Sequence, residues 1–141
     1  MTWVIWAVLS AVFAGITAVL AKVGVESVNS NLATAIRTTV VLLFTWAIVF
    51  AASPSGAIAM PGRRTMLFLA LSGIATGLSW LCYFRALQLG EASRVAPIDK
   101  LSVVFAIVLA GVFLRERLNW QHAVGGTLIV AGSLVLAWKG R

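Results

Sequence analysis

The fold class that this sequence predicts is all-α: a polytopic integral membrane protein with five transmembrane helices. Two observations carry that prediction. First, hydrophobic residues make up 61% of the 141-residue chain and charged residues 11%, with a mean hydropathy of +1.01, far too apolar for a soluble domain of this size. Second, the charges are spaced so that the runs between them have the length a bilayer asks for, about 20 helical residues for a hydrocarbon core of roughly 30 Å.

The first run covers residues 2–25, with Trp3 and Trp6 as interfacial anchors at its start. It has no basic n-region and no convincing cleavage site, so it reads as a retained span rather than a signal peptide. Ala11, Gly15, Ala18 and Lys22 share one stripe, continued by Glu26. Lys22 either pairs with that carboxylate one turn on, contributes to a cavity, or snorkels to the interface. The second run, 31–52, brings Thr34, Arg37, Thr38 and Thr45 onto one face. Arg37 lies about two turns in, where an ionised group needs a polar cavity or a partner such as Asp99. The linker SPSGAIAMPGRR follows: Pro54, Gly56, Pro61 and Gly62 break a helix there, and Arg63 and Arg64 mark a wet side.

In the third run, 65–84, Ser72, Thr76, Ser79 and Tyr83 form a polar, uncharged line suited to a water-lined path. Gly73, Gly77, Trp80 and Phe84 form the next line, which opens with a GxxxG spacing that permits close helix contact. The fourth run, 94–114, organises the rest. Its charge-free part, Leu101 to Leu114, is too short to span alone, so the helix must begin near Val95, which places Asp99 and Lys100 inside the membrane edge. Ser93 is the expected N-cap and Pro97 falls in the expected first turn. Successive helical residues point about 100° apart, so Asp99 and Lys100 are not expected to face each other. Glu91 and Arg94 read as a solvated pair, and Arg115, Glu116 and Arg117 return the chain to water. The fifth run, 119–138, has Trp120 and Trp138 at its two interfaces, Gly125, Gly126 and Gly132 for close packing, and His122 as an interfacial polar residue.

Several function classes drop out. The net charge is +7, but its basic residues sit at segment ends or singly in apolar runs, so nucleic acid is not an expected partner. The lone Cys82 lies in an apolar segment and is expected to be a buried packing residue. One histidine and four scattered carboxylates give neither metal-ligand spacing nor a catalytic triad, so no enzyme activity, metal or cofactor is expected. An enzyme acting on lipid would lack a nucleophile and base at useful spacing.

Five crossings put the termini on opposite sides. Arg63, Arg64, Arg115 and Arg117 then lie on one side, and Arg85, Arg94, Lys139 and Arg141 on the other. Such a balance gives the positive-inside rule almost nothing to decide between. A chain that inserts both ways could pair with itself in antiparallel fashion, building from two copies the inverted-repeat design that many transporters encode in one gene.

The run YFRALQLGEASRVAPIDKLSVVFAIVLAGVFLRERL, followed by GGTLIVAGSLVLAW, resembles the end of an EamA domain of the drug/metabolite transporter superfamily. Tyr83 to Gly90, Pro97, Glu116 to Leu118 and Gly125 to Gly132 match that pattern, and AVFAGITAVLAKVGV resembles the family's first helix. The likeness implies a single EamA-like five-helix domain over residues 1–141, and transport by alternating access. Members of this family usually carry ten helices as two inverted repeats, whereas this chain has one repeat. That departure implies a homodimer, antiparallel or not, or a paralogous partner, as in the small multidrug resistance relatives. The Asp99–Lys100 pair stands where the family often has uncharged residues. The first helix lacks the mid-membrane glutamate of small multidrug resistance proteins, so their proton-exchange site is not carried over.

The expected protein is therefore half of a metabolite transporter in the bacterial inner (plasma) membrane, with a cavity between helices one to four of both copies. Arg37, Lys100 and Lys22 would make it positive and favour an anionic or zwitterionic small molecule. Ser72, Thr76, Ser79 and Tyr83 would supply hydrogen bonds, Trp80 an apolar wall, and Asp99 proton coupling or an amine acceptor. The rival expectation is an accessory subunit that packs against another membrane protein and conducts nothing, with Arg37 and Asp99 as a closed structural pair.

Overall fold

A computed structural model describes residues 2–52 and 60–138. Pro54 and Gly56 of the linker, and Lys139 and Arg141 of the tail, lie outside the described residues. Among the described residues six helices follow in order: α1 (Thr2–Val25), α2 (Ser30–Ala52), α3 (Arg63–Leu89), α4 (Ala92–Asp99), α5 (Ser102–Phe113) and α6 (Trp120–Ala137). They make five crossings, because α4 and α5 together form the span Ala92–Phe113. Every span is long and apolar enough to cross a bilayer, with mean hydropathy from 1.3 to 2.4, and no strand occurs among the described residues. The protein is an all-α membrane protein.

Local chemistry explains the boundaries. α2 begins where Asn29 caps it: the Asn31 N–H donates to Asn29 Oδ1 at 2.9 Å, satisfying one of the four donors that a helix start leaves bare. Along α2 the hydroxyls of Thr34, Thr38, Thr39 and Thr45 each donate to the carbonyl four residues back, at 2.8, 2.8, 3.0 and 2.9 Å. A threonine can therefore sit in an apolar helix without an unmet donor. α3 continues past the expected end at Phe84 to Leu89. Arg85 ends the apolar run but not the helix, since its Nη1 donates to Gln88 Oε1 at 3.0 Å and Leu87, two residues on, is fully buried.

The fourth crossing departs most from expectation. Its helix starts at Ala92 with Glu91 as N-cap rather than Ser93, so Pro97 falls inside α4 and not in its first turn. A proline there has no N–H to give, and the helix tightens just after it. The N–H of Lys100 reaches Pro97 O at 3.1 Å and that of Leu101 reaches Ile98 O at 3.0 Å, three-residue steps that separate α4 from α5. The same tightening corrects the expected separation of the two charges, for Lys100 Nζ lies 3.5 Å from Asp99 Oδ2. The Arg94–Glu91 pair, at 3.1 Å with partly exposed side chains, is as expected.

The chain groups into two compact units: Met1–Val23 with Leu89–Arg141, and Gly24–Gln88. In the first unit α6 packs on α4 and α5. Skipping the Leu101 N–H bond leaves room at the Pro97 carbonyl, which accepts the Ser133 hydroxyl at 2.9 Å, and Ser133 is buried. Gly126, also buried, has Val104 Cγ2 4.0 Å from the place a Cβ would occupy, the close packing expected of the fifth run; Gly125 and Gly132 have nothing within 4 Å. α5 ends as Arg115 turns into the left-handed region at φ 55°, and Leu118 folds back over Gly111, where an added Cβ would lie 2.7 Å from Leu118 Cδ1. His122 is more than an interfacial polar group: its Nδ1 accepts the Asn119 N–H at 3.0 Å and caps α6. In the second unit Val25, Ser30, Thr34, Phe84 and Leu87 are buried, whereas Cys82, expected to be buried, lies on the exposed apolar face of α3.

The Ser133–Pro97 bond joins two helices at a break in one of them. Ser133→Ala is expected to lower stability by about 0.6–1.7 kcal/mol, the range for interhelical hydrogen bonds in membranes. Thermal unfolding in detergent, followed by near-UV circular dichroism, checks this; an unchanged midpoint would show that the bond stabilises nothing.

Candidate functional site

The clearest charged site lies in the Gly24–Gln88 unit. Arg37 stands about two turns into α2, and its side chain reaches α3, where the guanidinium carbon lies 4.1 Å from the centroid of the Trp80 ring and 5.6 Å from that of Phe84. Trp80 and Phe84 are one helical turn apart and so present their rings on one face of α3. Tyr83 meets Phe84 edge-on at 6.5 Å, with 65° between the ring planes, and extends the aromatic surface.

Three side chains set the register that brings these groups together. The Gln88 amide nitrogen donates to Val25 O at 3.2 Å and to Val28 O at 2.6 Å, tying the end of α3 to carbonyls left over where α1 ends. Arg85 holds the other end of that amide through Gln88 Oε1. With α2 started by Asn29 at the same end of the unit, Arg37 and Trp80 lie at similar depths, roughly 10 Å and 12 Å along their helices by the helical rise.

The guanidinium is stabilised but not neutralised. An aromatic face attracts a cation by its quadrupole, worth about 2 kcal/mol when desolvated, yet accepts none of the guanidinium's N–H bonds in the plane of the fork. Within this unit, among the described residues, no carboxylate comes within 4 Å of Arg37, and Tyr83 lies within its electrostatic reach. A rigid fork with no carboxylate partner in this unit suits a planar or tetrahedral anion.

The remaining expected residues are placed as follows. Thr76 and Ser79 are exposed on α3, and the Thr76 hydroxyl donates to Ser72 O at 2.9 Å, so its free capacity is as an acceptor. Tyr83 is half-buried beside Phe84. Trp80 is half-buried, and its role here is a platform for Arg37 in addition to an apolar wall. In the other unit Lys22 is half-buried on α1, and Lys100, exposed, contacts Asp99 at the α4–α5 break. A Cβ added at Gly73 or Gly77 would meet nothing within 4 Å, so the GxxxG line makes no close helix contact in its unit.

Sequence reasoning missed Gln88 and Ser133. Each is an uncharged polar residue in a largely apolar helix, which is the available signal, but its partner is a backbone carbonyl on another element and carries no side-chain signature. Replacing the Gln88 amide by an isosteric apolar group, Gln88→Leu, removes donors from two carbonyls and is expected to cost about 1–3 kcal/mol. Hydrogen exchange across residues 26–33 reads the result as faster exchange; unchanged protection would mean that the amide does not hold this end of the unit.

A family described as the EamA-like transporter family matches residues 1–138. An "Uncharacterized transporter in cobO 3'region" from Sinorhizobium sp. is 55% identical over 140 residues, 96% of each chain. A "Probable terminal-alkyne amino-acid exporter" from Streptantibioticus cattleyicolor is 35% identical over 98 residues, 67% of this chain but 32% of that protein. A "Probable 4-amino-4-deoxy-L-arabinose-phosphoundecaprenol flippase subunit ArnE" from Erwinia tasmaniensis is 34% identical over 76 residues, 53% of this chain and 70% of that one. No solved structure gives a significant match.

Proposed function

The chain belongs to the EamA-like transporter family and is a membrane transporter, and from that premise we propose that it works as a dimer of five-helix halves that moves a small anionic or zwitterionic metabolite by alternating access. The observation that carries this reading is Arg37: a guanidinium about two turns into a membrane span, resting on Trp80 at 4.1 Å, with no carboxylate partner in its own unit among the described residues. Ionised groups at such depth face a partner or a water-filled path. A fixed cation with available donors favours a substrate bearing a carboxylate or phosphate.

The names of two relatives support the same chemistry. One is named for an amino acid, the other for an amino sugar on a phosphate-linked lipid, and both cargoes join an amine to an acid. The exporter is about three times as long as the segment it shares with this chain, which fits a five-helix half that needs a second half. In the proposed carrier Lys100 and Lys22 add positive potential, Asp99 serves in proton coupling, and Thr76, Ser79 and Tyr83 line the path. The setting is the bacterial inner membrane. The name "flippase subunit" of the third relative favours a second composition, in which the other half is a paralogue rather than a copy.

Uptake into proteoliposomes tests the transport reading with a panel of amino acids, organic acids and phosphorylated metabolites. At sub-saturating substrate, Arg37→Gln is expected to lower flux about 10- to 100-fold, the loss of a charge-assisted pair worth about 1.5–3 kcal/mol. Saturable flux that survives the substitution intact removes Arg37 from the path. Tagging both termini and labelling from each side of intact cells tests the assembly. Equal labelling on both faces is expected for an antiparallel homodimer, whereas strict one-sided labelling excludes it and leaves a parallel dimer or a paralogous partner.

A further inference from the structure

The aromatic face beneath Arg37 has a chemistry of its own. Trp80 and Phe84 hold a cation at 4.1 Å and 5.6 Å in a setting where water is scarce. An anion that engages the Arg37 fork draws that charge toward itself and weakens its hold on the ring. The ring then faces hydrocarbon or substrate with the same quadrupole and the same preference for a positive group. The neighbouring hydroxyls point to that preference too. Thr76, one turn before Trp80, donates its proton to Ser72 O at 2.9 Å, and Thr38, beside Arg37, donates to Thr34 O at 2.8 Å. Both oxygens are left with lone pairs and no proton to offer, which suits an ammonium and not an anion.

We propose that Trp80 is the amine-recognising residue of this site: a zwitterionic substrate sets its acid on the Arg37 fork and its ammonium over the Trp80 ring, replacing the guanidinium that rests there without substrate. One cation exchanges for another, so the aromatic face is never left without a positive partner during binding. Substrates with an ammonium and a carboxylate, phosphonate or phosphate a few bonds apart are selected over anions of the same shape that lack the amine. This assignment rests on the reading of Arg37 as the anion site given above.

Three probes separate the contributions: aminomethylphosphonate, which carries both groups, methylphosphonate, which has the acid alone, and methylammonium, which has the amine alone. The full chain is labelled with 5-fluorotryptophan in lipid nanodiscs, and the Trp80 fluorine resonance is identified by its loss in Trp80→Phe. Without any probe, Arg37→Gln is expected to move that resonance. In the unsubstituted protein aminomethylphosphonate is expected to bind about tenfold more tightly than methylphosphonate, the size of one desolvated cation–π contact. Trp80→Leu should bring the two to parity, whatever it does to the absolute affinity of each, while Trp80→Phe keeps part of the advantage and guards against a misfolded leucine variant. Equal affinity for the two phosphonates in the unsubstituted protein, with binding still lost in Arg37→Gln, overturns the role of Trp80 and leaves the anion site standing. An equal loss for both probes in Trp80→Leu and Trp80→Phe also overturns it, because a merely structural ring would behave that way. Binding that ignores Arg37→Gln, or no binding of any probe, overturns both assignments together.

Discussion

A positive charge that must be kept inside an apolar span is the constraint on which the Gly24–Gln88 unit depends. Removing a guanidinium from water is expensive, and an aromatic face returns part of that cost without cancelling the charge. The arrangement works only if α2 and α3 are in register. Gln88 fixes the end of α3 against the carbonyls of Val25 and Val28, Asn29 fixes the start of α2, and Phe84 and Trp80 follow one and two turns back from Gln88. The small buried set at this end, from Val25 and Ser30 to Phe84 and Leu87, holds that register by packing. Arg37 then finds its rings because the start of α2 and the end of α3 lie level.

The other unit meets a different constraint with the same kind of answer. Backbone groups that leave the helical ladder at membrane depth must be satisfied from within the protein. Pro97 disturbs the ladder of the fourth crossing, and the steps after it tighten so that the Pro97 carbonyl loses its usual partner in Leu101. Ser133 replaces it from α6. The break lies directly beside Asp99 and Lys100, and the tighter turn brings their charged ends to 3.5 Å. Two charges at the mouth of a span therefore meet at the break itself.

What was legible in the sequence follows from what each feature depends on. Apolar length needs only the chain itself, so the five spans could be read directly, as could the Glu91–Arg94 pair, which is local at three residues' separation. The break at Lys100 was less visible because it depends on where the helix starts. Glu91 rather than Ser93 is the cap, and that shift moves Pro97 from a harmless position to a disruptive one. Arg37 could be recognised as a charge in need of a partner, and helical spacing alone put Trp80 and Phe84 on one stripe. That the two meet could not be read, since it depends on a register between helices set by Gln88 and two backbone carbonyls. Trp80 accordingly read as a wall when it is also a cation's seat.

This division of labour sorts the polar residues of an otherwise apolar chain. Thr34, Thr38, Thr39, Thr45, Thr76 and Thr127 all give their protons to their own helices. Gln88 and Ser133 give theirs to carbonyls that helix ends and breaks leave open. These neutral donors are thus committed to keeping backbone or hydroxyl groups satisfied where water is scarce. A path lined by such groups can accept hydrogen bonds from a solute but has little to donate. The strongest donors for an acidic substrate are then the cationic side chains, and in the Gly24–Gln88 unit that points to Arg37, which rests on the faces of Trp80 and Phe84.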